Sequence, residues 1–130
     1  MTPRLDEAAF AAWLNGYKAA WEERDPARAA ALFTPDAVYH EMPFDAPIEG
    51  REAIAAYWVK VTAGQQDVRF SYEVLAVGGR EGLCHWHCAL TGNPGGERIE
   101  LDGIFRCRFA DQGLVDHFQE WWHIRILPPG

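Results

Sequence analysis

Residues 37–58 read AVYHEMPFDAPIEGREAIAAYW. The short apolar run from Ala37 to Glu41 has the character of a strand. Pro43 to Gly50 is a loop punctuated by Pro and Gly, and the stretch from Arg51 carries large aromatics at helical spacing. Strand, loop and helix in this order predict one wall of a pocket. Successive strand side chains alternate between faces, so Ala37, Tyr39 and Glu41 share one side and Val38, His40 and Met42 the other. Glu41 thus stands on the face of an aromatic, and two readings are open for it. If that face is interior, loss of water disfavours the charged form and lifts the pKa toward the range where a carboxylate serves as a base near neutral pH. If it is not, Glu41 ends the strand in solvent, the ordinary place for a glutamate.

Toward the N-terminus, Phe10, Trp13, Leu14, Tyr17 and Trp21 recur at the three-and-four spacing of one helix face between Asp6 and Glu23, while Asn15, Lys18 and Glu22 lie elsewhere. Tyr17 sits in the middle of that stripe, so its hydroxyl needs a partner; a backbone carbonyl of the core and a ligand both qualify. Asp25-Pro26 is a helix start, and a second helix is predicted from Pro26 to Phe33, stopped by Thr34-Pro35-Asp36. A third follows Gly50, with Ile54, Tyr57, Trp58 and Val61 on one face. Beyond Gly64 the pattern changes to strands at Val68–Val77, Leu83–Thr91, Arg98–Phe109 and Leu114–Ile126, joined by short Gly-rich turns that make neighbours antiparallel. Helices first and a meander afterwards predict an α+β domain over residues 1–130, with three N-terminal helices against a curved, mainly antiparallel sheet; Pro128-Pro129-Gly130 reads as a frayed tail.

The chain has 130 residues, 48% of them hydrophobic and six of them tryptophan, enough for a core and a ligand cavity in one domain. A net charge of -7 argues against nucleic acid and anionic membrane surfaces, which call for a basic patch. The three cysteines are an odd number, the start MTPRLDEAAF has no apolar signal core, and no run approaches the roughly 20 apolar residues of a membrane span. The expectation is a cytoplasmic protein with reduced thiols.

CHWHC at 84–88 invites a metal reading that strand geometry opposes. Cys84, Trp86 and Cys88 point one way and His85 and His87 the other, so four ligands cannot converge on one tetrahedral ion. No metal and no cofactor are expected. The last strand, LVDHFQEWWHIRI, is apolar on both faces, with His117, Gln119, Trp121 and His123 on one and Phe118, Glu120 and Trp122 on the other. A sheet with two apolar faces covers a core or cavity with one and a partner chain with the other, which predicts a homodimer through the outer face, involving some of Trp86, Phe118, Glu120 and Trp122.

This arrangement resembles the nuclear transport factor 2-like superfamily, in particular its SnoaL-like and ketosteroid-isomerase-like members. The residues that carry the resemblance are Tyr17 with the run AAWEERDPARAAALFTPDAV after it, the spacing from Ala37 to Gly50, and FRCRFADQGLVDHFQEWW near the end. The resemblance implies a cone of three helices and a curved sheet around a pocket. It also places Glu41 at the family's catalytic aspartate and Tyr17 at the oxyanion-hole tyrosine, with Gly103 where a second aspartate would stand. On the last strand His117 matches a functional histidine, and Gln119 stands at a carboxylate position.

The catalytic set expected is therefore Glu41 as base, Tyr17 as donor to a developing enolate oxygen, and His117. Trp13, Trp21, Tyr39, Trp58, Phe105, Gln119 and Trp121 are expected to hold the substrate. The function implied is proton transfer on a small, largely apolar, carbonyl-bearing molecule by an isomerase, cyclase or dehydratase. The alternative is a non-catalytic binding module that holds an apolar small molecule or a protein partner in the same cone.

Overall fold

Asp6 caps the first helix, its Oδ1 accepting from Ala9 N at 2.7 Å, and α1 runs Glu7–Glu22 with Phe10, Trp13, Leu14, Tyr17, Ala20 and Trp21 buried. The structure is a computed structural model describing residues 4–128, so Pro129 and Gly130 of the expected tail lie outside the described residues. Asp25 caps α2, which spans only Pro26–Ala30. It ends before Phe33 because the chain there is already strand: Val115 N donates to Leu32 O at 3.0 Å and Phe33 pairs with Val115. β1 spans Phe33–His40, beginning earlier than its apolar run suggests. Pro35, which has no N–H for a ladder, falls where the register shifts between Phe33 and Val38. A short β2, Ile48–Glu49, precedes α3, Arg51–Ala63. Gly50 joins them at φ 91°, a conformation that favours glycine, and its N–H donates to Ala37 O at 2.8 Å.

The meander consists of β3 (Gln65–Gly78), β4 (Glu81–Gly92), β5 (Arg98–Phe109) and β6 (Val115–Leu127). The sheet order is β2-β1-β6-β5-β4-β3, antiparallel throughout except that β1 lies parallel to β6. Three helices against a mostly antiparallel sheet is the architecture expected. Its inner face carries Phe70, Cys84, Trp86, Cys88, Phe105, Cys107 and Phe118, buried against the aromatic stripe of α1. Burial lifts the Cys84 and Cys88 thiols to about 12 and Cys107 well above its ordinary value, so all three are packing groups rather than reactive ones. Among the described residues no helix is long and apolar enough to cross a membrane.

The structure corrects the facing of β6. Phe118, Glu120 and Trp122 turn inward, while His117, Gln119 and Trp121 lie on the outer side, Trp121 with 41% of its surface exposed. Apolarity alone could not decide this, since both faces of the strand carry large rings. Register decides it: Cys107, Phe105 and Gly103 of β5 pair with Phe118, Glu120 and Trp122. At Gly103 an added Cβ would collide with the Trp121 carbonyl and the Cβ of Trp122, so only glycine admits this approach. The same correction changes which residues face outward from the sheet. Trp86, Phe118 and Glu120 are buried inside, Trp122 packs against the core, and none of the four forms an outward apolar patch.

Beside the exposed Trp121 and Leu83, the outer face carries an ionic chain. His85 sits between Glu73 (Nδ1 to Oε1, 3.3 Å) and Asp102 (Nε2 to Oδ1, 2.9 Å). His87 sits between Asp102 (Nδ1 to Oδ2, 3.4 Å) and Glu100 (Nε2 to Oε2, 3.4 Å), and Arg125 donates to Glu100 at 2.5 Å. The chain of alternating charge crosses β3, β4, β5 and β6.

Candidate functional site

The parallel pairing of β1 with β6 is what builds the site. His40 pairs with Gln119, so the residues that follow, Glu41 and Glu120, emerge side by side from adjacent strands. They line a cavity of about 290 Å³ between the helices and the inner face of the sheet. α1 contributes Tyr17 and Trp21 to it, and β1 contributes Tyr39. Tyr57 and Trp58 come from α3, Trp86 from β4, and Trp122 from β6. Val61, Leu90, Ile99, Leu101 and Ile124 add aliphatic wall.

Glu120 is 7% exposed, and its carboxyl is held well above the usual carboxylate range, first by burial and then by the charge of Glu41; a hydrogen bond with Tyr39 opposes the shift without cancelling it. Tyr39 is hydrogen-bonded to Tyr17 as well, so Tyr17, Tyr39 and Glu120 form one buried polar chain. Burial, with the Glu120 charge behind it, pushes both tyrosines well above their ordinary value and keeps them protonated. Glu41 is half-buried, and the Tyr57 hydroxyl donates to its Oε1 at 3.3 Å. The Tyr57 phenol is raised by burial, then by Glu120 and Glu41. One carboxyl is thus held as the acid in an apolar interior while its neighbour is half open to water. Two such neighbouring groups can give and take a proton on one bound molecule.

The aromatic walls are set by packing. Trp58 meets Tyr17 edge-on at 5.4 Å and 83°, and Trp86 stacks on Phe105 at 4.8 Å and 21°. Trp21 Nε1 donates to Gln65 Oε1 at 2.8 Å, whereas the buried indole N–H groups of Trp58, Trp86 and Trp122 meet no oxygen among the described residues.

Of the residues singled out in the sequence, Tyr17, Trp21, Tyr39, Glu41 and Trp58 come together around this cavity. Trp13 and Phe105 do not line it: Trp13 is buried behind it, stacked on Tyr17 at 5.6 Å with Nε1 donating to Leu32 O at 3.0 Å, and Phe105 packs beneath Tyr17 and Trp86. His117, Gln119 and Trp121 are on the opposite side of the sheet. There His117 lies 5.0 Å from the ring of His40, and burial, then His40 and Arg108, push its pKa down. The carboxyl group that β6 brings to the cavity is Glu120, and Gln119 beside it faces away. Tyr57, Trp86, Glu120 and Trp122 were missed as site residues. The signal that finds Glu120 is its parity with Phe118, once β6 is aligned on Cys107 and Phe105.

A sequence profile of the SnoaL-like domain matches residues 14–117. No curated protein matches the chain in sequence. Among solved structures the chain is similar to a protein from Bacillus subtilis described as an isomerase, with a TM-score of 0.80 at 18% identity, covering 92% of this chain and 90% of that one. It is similar to the epoxide hydrolase/cyclase-like enzyme SalBIII of pyran ring formation in salinomycin, with a TM-score of 0.80 at 18% identity over 93% and 98% of the two chains. A computationally designed 17-OHP binder has a TM-score of 0.78 at 18% identity over 91% and 98%. At this identity the likeness is one of fold.

Proposed function

Because the chain belongs to the SnoaL-like domain family, we propose that it is an acid/base enzyme that moves a proton on a small, largely apolar, carbonyl-bearing molecule held in this cavity, as an isomerase, cyclase or dehydratase. Glu120 is the group that arrives protonated, and Glu41 is the base. Tyr39 and Tyr17 hold the Glu120 carboxyl in place, and Tyr57 does the same for Glu41. The observation that carries this reading is that two carboxyl groups share one apolar cavity in opposed environments, one pushed to its neutral form first by burial and then by the charge of the other.

A screen of small enones, enols and polycyclic ketones by thermal shift identifies ligands, because anything bound to the native state raises the melting temperature by mass action. Turnover of a hit by the wild-type protein, its loss in both Glu41→Gln and Glu120→Gln, and retained thermal shift in both variants are the results expected. A non-catalytic binding module gives the reverse pattern: no turnover by wild type, and affinity that survives both substitutions but falls in Trp122→Ala.

A further inference from the structure

Two carboxyl groups line the cavity, and no lysine, arginine or histidine does so among the described residues. The rest of the wall is dominated by aromatic rings, among them Tyr57, Trp58, Trp86 and Trp122. An aromatic face carries partial negative charge and attracts a cation lying over it, the more so when water is excluded. Glu41 and Glu120 stand in that wall without a basic partner across the cavity. A negatively charged ligand meets like charge there and no compensating donor of positive charge.

We propose that positive charge is what this pocket selects, so that its preferred ligand is an organic cation, a protonated nitrogen on a small apolar frame. The inference rests on the reading that this cavity is the ligand site, and it adds the sign of the ligand's charge. An ammonium between Glu41 and Glu120 supplies the counter-ion that the protein itself withholds. Its arrival releases the proton from Glu120, so the bound complex holds two carboxylates, one cation and the aromatic faces. The same arrangement favours substrate chemistry in which positive charge develops. When the Glu120 O–H bond breaks and its proton passes to a substrate oxygen, the carboxylate left behind faces the newly positive substrate. A protonated amine mimics that state.

The test uses three molecules with one frame and three charges: 1-adamantylamine, 1-adamantanol and 1-adamantanecarboxylate, titrated calorimetrically into the wild-type protein at pH 7. The amine is a cation there, with a pKa near the lysine value of about 10.4. It is expected to bind about tenfold or more tighter than the alcohol, with the carboxylate not binding. Amine affinity should rise as pH climbs from the acid side toward neutrality, with proton release seen as heats that depend on the ionisation enthalpy of the buffer, while alcohol affinity does not rise. Glu120→Gln should abolish both the pH dependence and the proton release. Alcohol binding as tightly as the amine, or carboxylate binding comparable to either, overturns the charge selectivity and leaves the cavity as the ligand site. Absence of saturable binding by all three overturns both.

Discussion

Glu120 is costly to the fold and valuable to the site for the same reason. Its raised pKa means that the native state holds a proton over a range in which the unfolded chain has released it. Its contribution is therefore complete below the unfolded value of about 4.3 and is lost as pH rises through the folded value. Glu120→Gln keeps the shape and removes the titration. The variant should melt higher than wild type at pH 8, by about 1.4 kcal/mol for each unit of the shift removed, and match it near pH 4. Thermal melts of both proteins across that range check this, and a variant that is less stable at pH 8 refutes it. The two adjacent tryptophans of β6 give a second comparison. Trp122 lines the cavity and Trp121 lies outside it. Trp122→Ala should weaken ligand binding at least about tenfold and Trp121→Ala should change it little. Titrating one thermal-shift hit against both variants decides it.

At the scale of elements, the ionic chain on the outer face has its own pH dependence. Asp102, then Glu73, raises the His85 pKa, so that contribution is present below the unfolded histidine value of about 6.5 and fades as pH climbs through the folded one. His85 in turn lowers Asp102, whose contribution is present above about 3.9 and is lost as pH falls through its folded value. Both act together between about pH 4 and 6.5. Asp102→Asn should therefore lower the melting temperature in that window more than at pH 9. The loss should stay below about 1 kcal/mol and shrink in salt, because these groups are screened by water. The elements themselves were largely legible. Helical spacing gave α1 and α3, and turn clusters bounded β5 at Arg98 and Phe109, where it is found. The start of β1 and the facing of β6 were not. The first depends on Leu32 and Phe33 pairing with Val115, and the second on Trp122 fitting over Gly103. Both are contacts between strands distant in sequence, and neither strand shows them alone. The candidate site was legible as far as α1, β1 and α3 supply it and was misplaced where β6 does.

For the molecule as a whole, the β1–β6 pairing has a kinetic consequence. Glu41 and Glu120 become neighbours only when the first strand of the sheet docks parallel to the last, a contact between segments far apart in the chain. Such non-local pairing is expected to form after the local hairpins, because the intervening chain must be closed before the contact is rewarded. The repulsion between the two carboxylates belongs to that docked arrangement and not to the β3–β6 meander, whose hairpins are local. An interaction absent from the folding transition state changes the rate of leaving the native state and not the rate of reaching it. Raising the pH through the ionisation of Glu120 should therefore steepen unfolding while refolding stays level. Chevron plots at pH 5 and pH 8 should share a folding limb and separate on the unfolding limb, and Glu120→Gln should bring the two unfolding limbs together. On that outcome the proton on Glu120 sets how long the native molecule lasts before it opens, and a carboxyl kept neutral by burial acts as the latch on the strand that closes the sheet.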